Sequence, residues 1–246
     1  GEDEFLSLAL ENARFILDKV VNGNEKEWQL LHSYKDGKAN ISAYLEDYAL
    51  LIEAWVALYQ ISFDLKWLER AEGLANYAIV NFYDEKEEMF FFTDAQAESL
   101  IARKKELFDN VIPASNSVMA KALYQLGLIL DKPYFVTLSQ KMTARIKNLL
   151  HKNVEYLANW AQVYIYQGQA SAEIVILGDQ YWETSAELNR RYLPNKVILA
   201  SKNELEHPPL FQNRKISPGE TKIFVCYDKA CQLPVSTIEE AWAQIK

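Results

Sequence analysis

The stretches "ALYQISFDLKWLERA" (57–71) and "ALYQLGLILDKPYFVTLS" (122–139) each run from Ala-Leu-Tyr-Gln through a few apolar residues to an Asp, a short turn and an aromatic. A four-residue match means something only if its surroundings repeat the same physical pattern. Aligning "FLSLALENARFIL" (5–17), "WLERAEGLANYAI" (67–79) and "YFVTLSQKMTARI" (134–146) puts an aromatic at the head of each. Ala9, Ala71 and Leu138 take the fifth place, and Ala13, Ala75 and Met142 the ninth. Spacings of four and eight form one helical stripe, whose mostly small side chains let a neighbouring helix approach closely. Charges such as Glu11, Arg14, Glu69, Arg70, Lys141 and Arg145 fall on other faces, so these are helices wet on one side. Asp64 and Asp131 stand just before the second and third as expected amino-terminal caps, and Pro133 suits a first turn.

Each of the three has a greasier partner. "ISAYLEDYALLIEAWVALYQ" (41–60), "SNSVMAKALYQLGLIL" (115–130) and "NVEYLANWAQVYIYQG" (153–168) carry almost no charge after their first turns and read as inner helices. The repeated unit is therefore a helical hairpin of roughly 65 residues with its loops, the third copy being shorter. Hairpins that cannot bury their own apolar faces must stack on one another, as a solenoid or a closed ring. "EKEWQLLHSYKDGK" (25–38) reads as an extended excursion with a turn at Asp36-Gly37.

After residue 169 the pattern changes. "AEIVILGD", "KVILAS" and "TKIFVCY" are strand-like, "QYWETSAELNRRYL" is an amphipathic helix, and "STIEEAWAQI" closes the chain with capping boxes available from Ser236 or Thr237. The expected organisation is mainly α: helical hairpins over 1–169 and a small α/β region over 170–246.

The chain has 246 residues, half of them hydrophobic, and a formal charge of −8. Nucleic acid is an improbable partner for such a charge, and no segment approaches the roughly 20 apolar residues of a bilayer span. A cytoplasmic protein is expected. Cys226 and Cys231, the only cysteines, lie too far apart in sequence for a Cys-X-X-Cys motif; ordinary thiols are the expectation, with a local disulfide as the alternative. His32, His151 and His207 are scattered, and "ILGD" (176–179) is followed by no glycine-rich phosphate motif, so neither metal nor cofactor is expected.

Four stretches carry a further likeness: "DGKANISAYLEDYALL" (36–51), "NFYDEKEEMFFFTD" (81–94), "LIARKKELFDNVIPASNSVMAKAL" (100–123) and "KIFVCYDKACQLPVSTIEEAW" (222–242). Together they resemble the carboxy-terminal part of the YyaL-type thioredoxin-domain family, which includes the spermatogenesis-associated protein 20 type. The resemblance implies half of an (α/α)6 toroid, three hairpins of six, similar to N-acylglucosamine 2-epimerases and six-hairpin glycosidases. It also implies a thioredoxin-like domain and the other half-ring ahead of this sequence. Where the family tends to have Pro-Ser-Gly-Asn-Ser, this chain has Pro113-Ala114-Ser115-Asn116-Ser117, without the glycine's backbone freedom.

By analogy with such toroids, a cleft would lie where loops meet the starts of the inner helices. Asp47 and Asp109 are the candidate catalytic carboxylates, and Tyr44, Glu46, Tyr48, Arg103, Ser115 and Asn116 the candidate substrate-binding residues. Tyr44, Asp47 and Tyr48 share a helical face, whereas Glu46 points about 100° away from Asp47. A pocket reading has these residues holding a carbohydrate; a packing reading makes Asp47, Asp109, Ser115 and Asn116 caps and turn formers. Aromatics in "MFFFTD" (89–94), with Trp28, Trp55, Trp67 and Trp160, fit core better than cleft. An epimerase would want histidines as its acid and base, and His32 is the only one near a plausible mouth loop, which weighs against that activity. A glycosidase-like or epimerase-like enzyme and a non-catalytic binding or scaffolding module both remain open, and an open half-ring is expected to self-associate.

Overall fold

A computed structural model describes residues 2–22, 28–97 and 102–245. Five long helices and a shorter sixth come first: α1 (Glu2–Lys19), α2 (Leu45–Ser62), α3 (Lys66–Phe82), α4 (Ser115–Leu130), α5 (Pro133–Leu150) and α6 (Ala158–Gly168). Between α1 and α2 run β1 (Val21–Asn22), β2 (Gln29–Lys35) and β3 (Lys38–Ser42), an antiparallel sheet whose β2–β3 turn is Asp36-Gly37, both at positive φ. Gly37 supplies that conformation without steric cost. After α3 come the two-residue strands β4 (Tyr83–Asp84) and β5 (Met89–Phe90), too short to display their aromatics as an exposed sheet.

The packed helical pairs are α2–α3 and α4–α5: each inner helix folds back on the outer helix that follows it, whereas the expected hairpins joined each outer helix to the inner one after it. Ala71, Ala75, Leu138 and Met142 are all buried, as the stripe requires, and Trp55, Trp67 and Trp160 are core residues. The first copy behaves differently. Ala13 is buried, but Ala9 is exposed and Phe5 and Leu8 stand 71% and 63% exposed; besides Ala13, Leu6, Leu10 and Leu17 pack α1 against the core. Asp131 also differs from the expectation that it caps α5. It closes α4 in the left-handed region at φ 53°, a place an Asp tolerates, and Lys132 takes the cap position ahead of Pro133. Likewise Leu65, not Asp64, occupies the cap position of α3, although Asp64 Oδ1 accepts from Lys66 N at 3.2 Å.

The α/β region holds β6 (Ala172–Gly178), α7 (Tyr181–Asn189), β7 (Lys196–Ser201), β8 (Thr221–Tyr227), β9 (Ala230–Cys231) and α8 (Ile238–Gln244). Sheet order is β7-β6-β8-β9, with β6 and β7 parallel across the α7 crossover and the other pairs antiparallel. Strand alternation gives the sheet two apolar faces. Val175, Leu177, Val197, Leu199 and Phe224 join the helical core, whereas Ile174, Ile176, Ile198, Ile223 and Val225 form a second core with Leu188 of α7 and Ala241 of α8. The Thr237 box caps α8: Glu240 N donates to Thr237 Oγ1 and Thr237 N to Glu240 Oε2. The two cysteines are not free thiols. Cys226 and Cys231 face each other across β8 and β9 and are joined as a disulfide, because the tight turn at Asp228-Lys229 brings their Cα atoms to 3.9 Å.

The second hairpin depends on Gly127. A Cβ there would stand 2.8 Å from Val136 Cγ2 and 3.1 Å from Phe135 Cβ on α5. Gly127→Val is expected to lower unfolding free energy by about 1–3 kcal/mol, the cost of overpacking a close contact, seen as a lower urea midpoint. An unchanged midpoint would mean that α4 and α5 separate there without loss.

Candidate functional site at the helix amino ends

The inner helices α2, α4 and α6 run in the same direction. At the start of α2 Leu45 N donates to the Phe92 carbonyl at 2.9 Å, and two residues before Phe92 in the chain Phe90 N donates to Asn116 at the start of α4 at 2.8 Å. Asn159 at the start of α6 donates through Nδ2 to Ser117 Oγ at the start of α4, also at 2.8 Å. Their amino ends therefore gather at one end of the molecule, each presenting backbone amides with no partner inside its own helix. Carboxylates meet that demand. Asp47 reaches back one turn, its Oδ2 accepting from Tyr44 N at 2.8 Å. Asp109 serves two helices, accepting from Ala114 N through Oδ1 at 2.9 Å and from Asn159 N through Oδ2 at 3.0 Å. Glu106 Oε2 accepts from Ser115 N at 3.2 Å.

Asn116 is fully buried and ties the segment before α4 to strand β5. It accepts from Phe90 N at 2.8 Å and donates to the carbonyls of Phe90 and Glu106. Arg103 is equally committed, with Nη2 donating to the Asn81 carbonyl, Nε to that of Thr93, and the guanidinium 4.2 Å from the Phe91 ring centre. Burial lowers the Arg103 pKa from its ordinary value. Tyr48 lies in the core, where its hydroxyl accepts from Leu30 N and its ring stacks on Tyr77; burial pushes its pKa well above the usual phenol range.

Three part-exposed side chains remain at this end, His32, Tyr44 and Glu46, and a fourth, Ser115, is buried. His32, on β2, places Nδ1 2.9 Å from Asp47 Oδ2, both groups being part-exposed. A carboxylate can only accept, so Nδ1 carries a proton, and in the neutral form of the ring the lone pair lies on Nε2. Tyr44 packs between the edge of His32 and the face of Phe92, stacked at 4.9 Å. Glu46, partly buried, has its pKa raised by desolvation first, then by Asp47 and Glu106, with His32 acting in the opposite sense. The Ser115 hydroxyl is buried without a hydrogen-bond partner among the described residues. Ser115 opens α4 in ordinary helical conformation, so the glycine of the resembling motif is not needed for the turn.

The structure thus brings Tyr44, Glu46, Asp47, Ser115, Asn116 and Asp109 to one end, with Tyr48 and Arg103 bonded just beneath. His32, Glu106 and Phe92 complete the group. Their signal in sequence is faint: His32 reaches Asp47 only through the register of the β2–β3 hairpin, and Glu106 sits in a run, "RKKELFD", that reads as solvated charge.

No protein-family model matches the chain. Spermatogenesis-associated protein 20 of Homo sapiens is 24% identical over 96% of the chain, and that of Rattus norvegicus 28% identical over 78%. The Mus musculus protein of the same name is 26% identical over 78%. These matches support the family that the motifs resemble. The chain spans only 32% of the human relative's length and 26% of each rodent relative's. Among the described residues no helix is long and apolar enough to cross a membrane.

Two outcomes follow from the cluster. Asp109→Ala leaves amides on two helices without an acceptor and is expected to cost about 1–3 kcal/mol of stability, measured by denaturant unfolding; no loss would mean that water caps both ends equally well. A carboxyl whose folded pKa is raised contributes stability that is complete below its unfolded pKa, near 4.5, and is lost as pH rises through the folded value. Relative to Glu46→Gln, the wild type should therefore be less stable at pH 7, with the gap closing as pH falls toward 4.5. A gap independent of pH would remove the shift.

Proposed function

We propose that the amino ends of α2, α4 and α6 are the substrate-binding and acid/base end of a carbohydrate-active enzyme, glycosidase-like or epimerase-like. On this reading the three outer and three inner helices are half of an α/α toroid, completed in a chain of the relatives' full length. The observation that carries the reading is the His32–Asp47 dyad beside a carboxyl, Glu46, that holds its proton to higher pH. Proton transfer needs a base and an acid within reach of the same substrate. His32 Nε2 is the base, Asp47 fixes its tautomer, and Glu46 is the proton donor. The Tyr44–Phe92 stack offers an aromatic face to a sugar ring. Asp109, Asn116 and Arg103 act by holding the helix ends and the 90–106 segment in register. The exposed Phe5, Leu8 and Ile61 fit contact with the remaining half-ring or, in its absence, with a second copy.

A second reading, a binding or scaffolding module working with a thioredoxin-like domain, draws on the same hydrogen bonds: both Asp109 oxygens and the whole Asn116 amide are spent on the protein itself. One assay separates the two. In the protein at the relatives' full length, turnover of sugars or glycosides should fall about 10²–10⁴-fold in His32→Gln and Asp47→Asn with the fold retained. Activity indifferent to both changes would overturn the site. Absent turnover, with protein partners recovered in their place, favours the module.

A further inference from the structure

We propose that Cys226 and Cys231 form a redox-active pair, reducible by a dithiol, in which Arg214 stabilises the Cys226 thiolate. Arg214 comes from the loop between β7 and β8 and is buried, only 9% exposed. Its Nη2 lies 3.2 Å from Cys226 Sγ and 3.0 Å from Cys231 Sγ, so one guanidinium nitrogen addresses both sulfurs. Nη1 donates to the Gln212 carbonyl, while Nε is buried without a hydrogen-bond partner among the described residues. The guanidinium also lies over the Phe224 ring, at 5.7 Å.

That is an unrewarding arrangement for a buried cation. Disulfide sulfurs are weak acceptors and carry no charge, and a buried charge is costly unless paired. The nearby carboxyl, Glu173, faces Cys226 across β6 and β8; burial raises its pKa, with the Lys229 amide and the Lys229 and Arg214 charges acting in the opposite sense. Its Oε2 is occupied by Lys229 N, so it attracts the guanidinium through charge without being its hydrogen-bond partner among the described residues. Reduction changes the balance. A thiolate at Cys226 gives Nη2 a full anionic partner in the same place, and a thiol beside a guanidinium ionises more readily than one in water.

The two cysteines also differ in access. Cys226 is fully buried and Cys231 is exposed on the edge strand β9. A dithiol's thiolate attacks Sγ of Cys231, forming a mixed disulfide and breaking the bridge, and the electron pair leaves on Cys226 Sγ against Arg214. The dithiol's second sulfur, on losing its proton, attacks the first, forms the reductant's own disulfide and releases Cys231. Two electrons pass to the pair. Of the dithiol's two protons, one ends on Cys231 and one goes to solvent, because Cys226 stays ionised.

The test is equilibration of the folded chain with graded ratios of reduced to oxidised dithiothreitol, quenched by alkylation and read by mass. Absorbance near 240 nm is followed against pH on the reduced form. Expected are reversible reduction without unfolding and a thiolate that persists below the ordinary thiol range of about 8.5. Arg214→Met should raise that thiolate's pKa and demand roughly a tenfold higher reduced-to-oxidised ratio for half reduction, because one pKa unit is a tenfold change. If Arg214→Met does not fold, Arg214→Lys, which keeps the charge without the shared nitrogen, should lie between wild type and ordinary thiols. A bridge that opens only on denaturation, or a reduced pair that titrates like free cysteine, would overturn the proposal.

Discussion

Three parallel helices that begin at the same end of a molecule create one concentrated demand: a dozen backbone amides point into a small region and their dipoles add. Everything around that end of the structure answers it. Asp47, Glu106 and Asp109 supply acceptors, Asp109 binding two helices with its two oxygens. Asn116 and Arg103 hold the irregular segments that carry those carboxylates. Burial first, and then the repulsion among acidic groups brought together to satisfy amides, raises the Glu46 pKa. The features that make the site chemically interesting are by-products of solving a helix-end problem.

The opposite end is treated differently. The carboxyl ends of α2 and α4 meet the α/β region rather than loops. Gln60 Oε1 accepts from Ile198 N on β7 at 2.9 Å, Asp131 at the end of α4 pairs with Lys229 in the β8–β9 turn, and one face of the sheet merges with the helical core. The carboxyl-terminal region therefore fixes the directions of the inner helices from behind while leaving their amino ends uncovered. The same turn that pairs with Asp131 also sets Cys226 opposite Cys231, so the disulfide site is physically tied to the end of α4.

The hairpins were legible in the sequence because outer helices need a one-sided stripe and inner ones need apolar residues nearly all round. That logic places Ala71, Ala75, Leu138 and Met142 correctly. It fails at Ala9, since a stripe states which face wants a partner without saying whether one is there. Strands β6, β7 and β8 were readable as β-branched runs, and Asp36-Gly37 as a turn. The disulfide was hidden because the spacing of two cysteines says nothing until the hairpin between them is known. In the site, Tyr44, Glu46, Asp47 and Asp109 stood out by position at helix starts. His32 stood out only as the one histidine near a mouth loop, its pairing with Asp47 being set by strand register, and Glu106 did not, being brought in by an irregular segment; neither register nor such a segment has a sequence period.

The most direct test is a structure of the protein at the relatives' full length with a sugar ligand, inspected for what faces His32, Glu46 and Ser115. The account predicts a closed polar cavity at these helix ends, with the ligand within hydrogen-bond distance of His32 Nε2 and Glu46 and a further acid or base group across from them. A ring centre filled by apolar side chains against Tyr44 and Phe92, with the ligand bound elsewhere, would contradict it and reduce the carboxylates to caps.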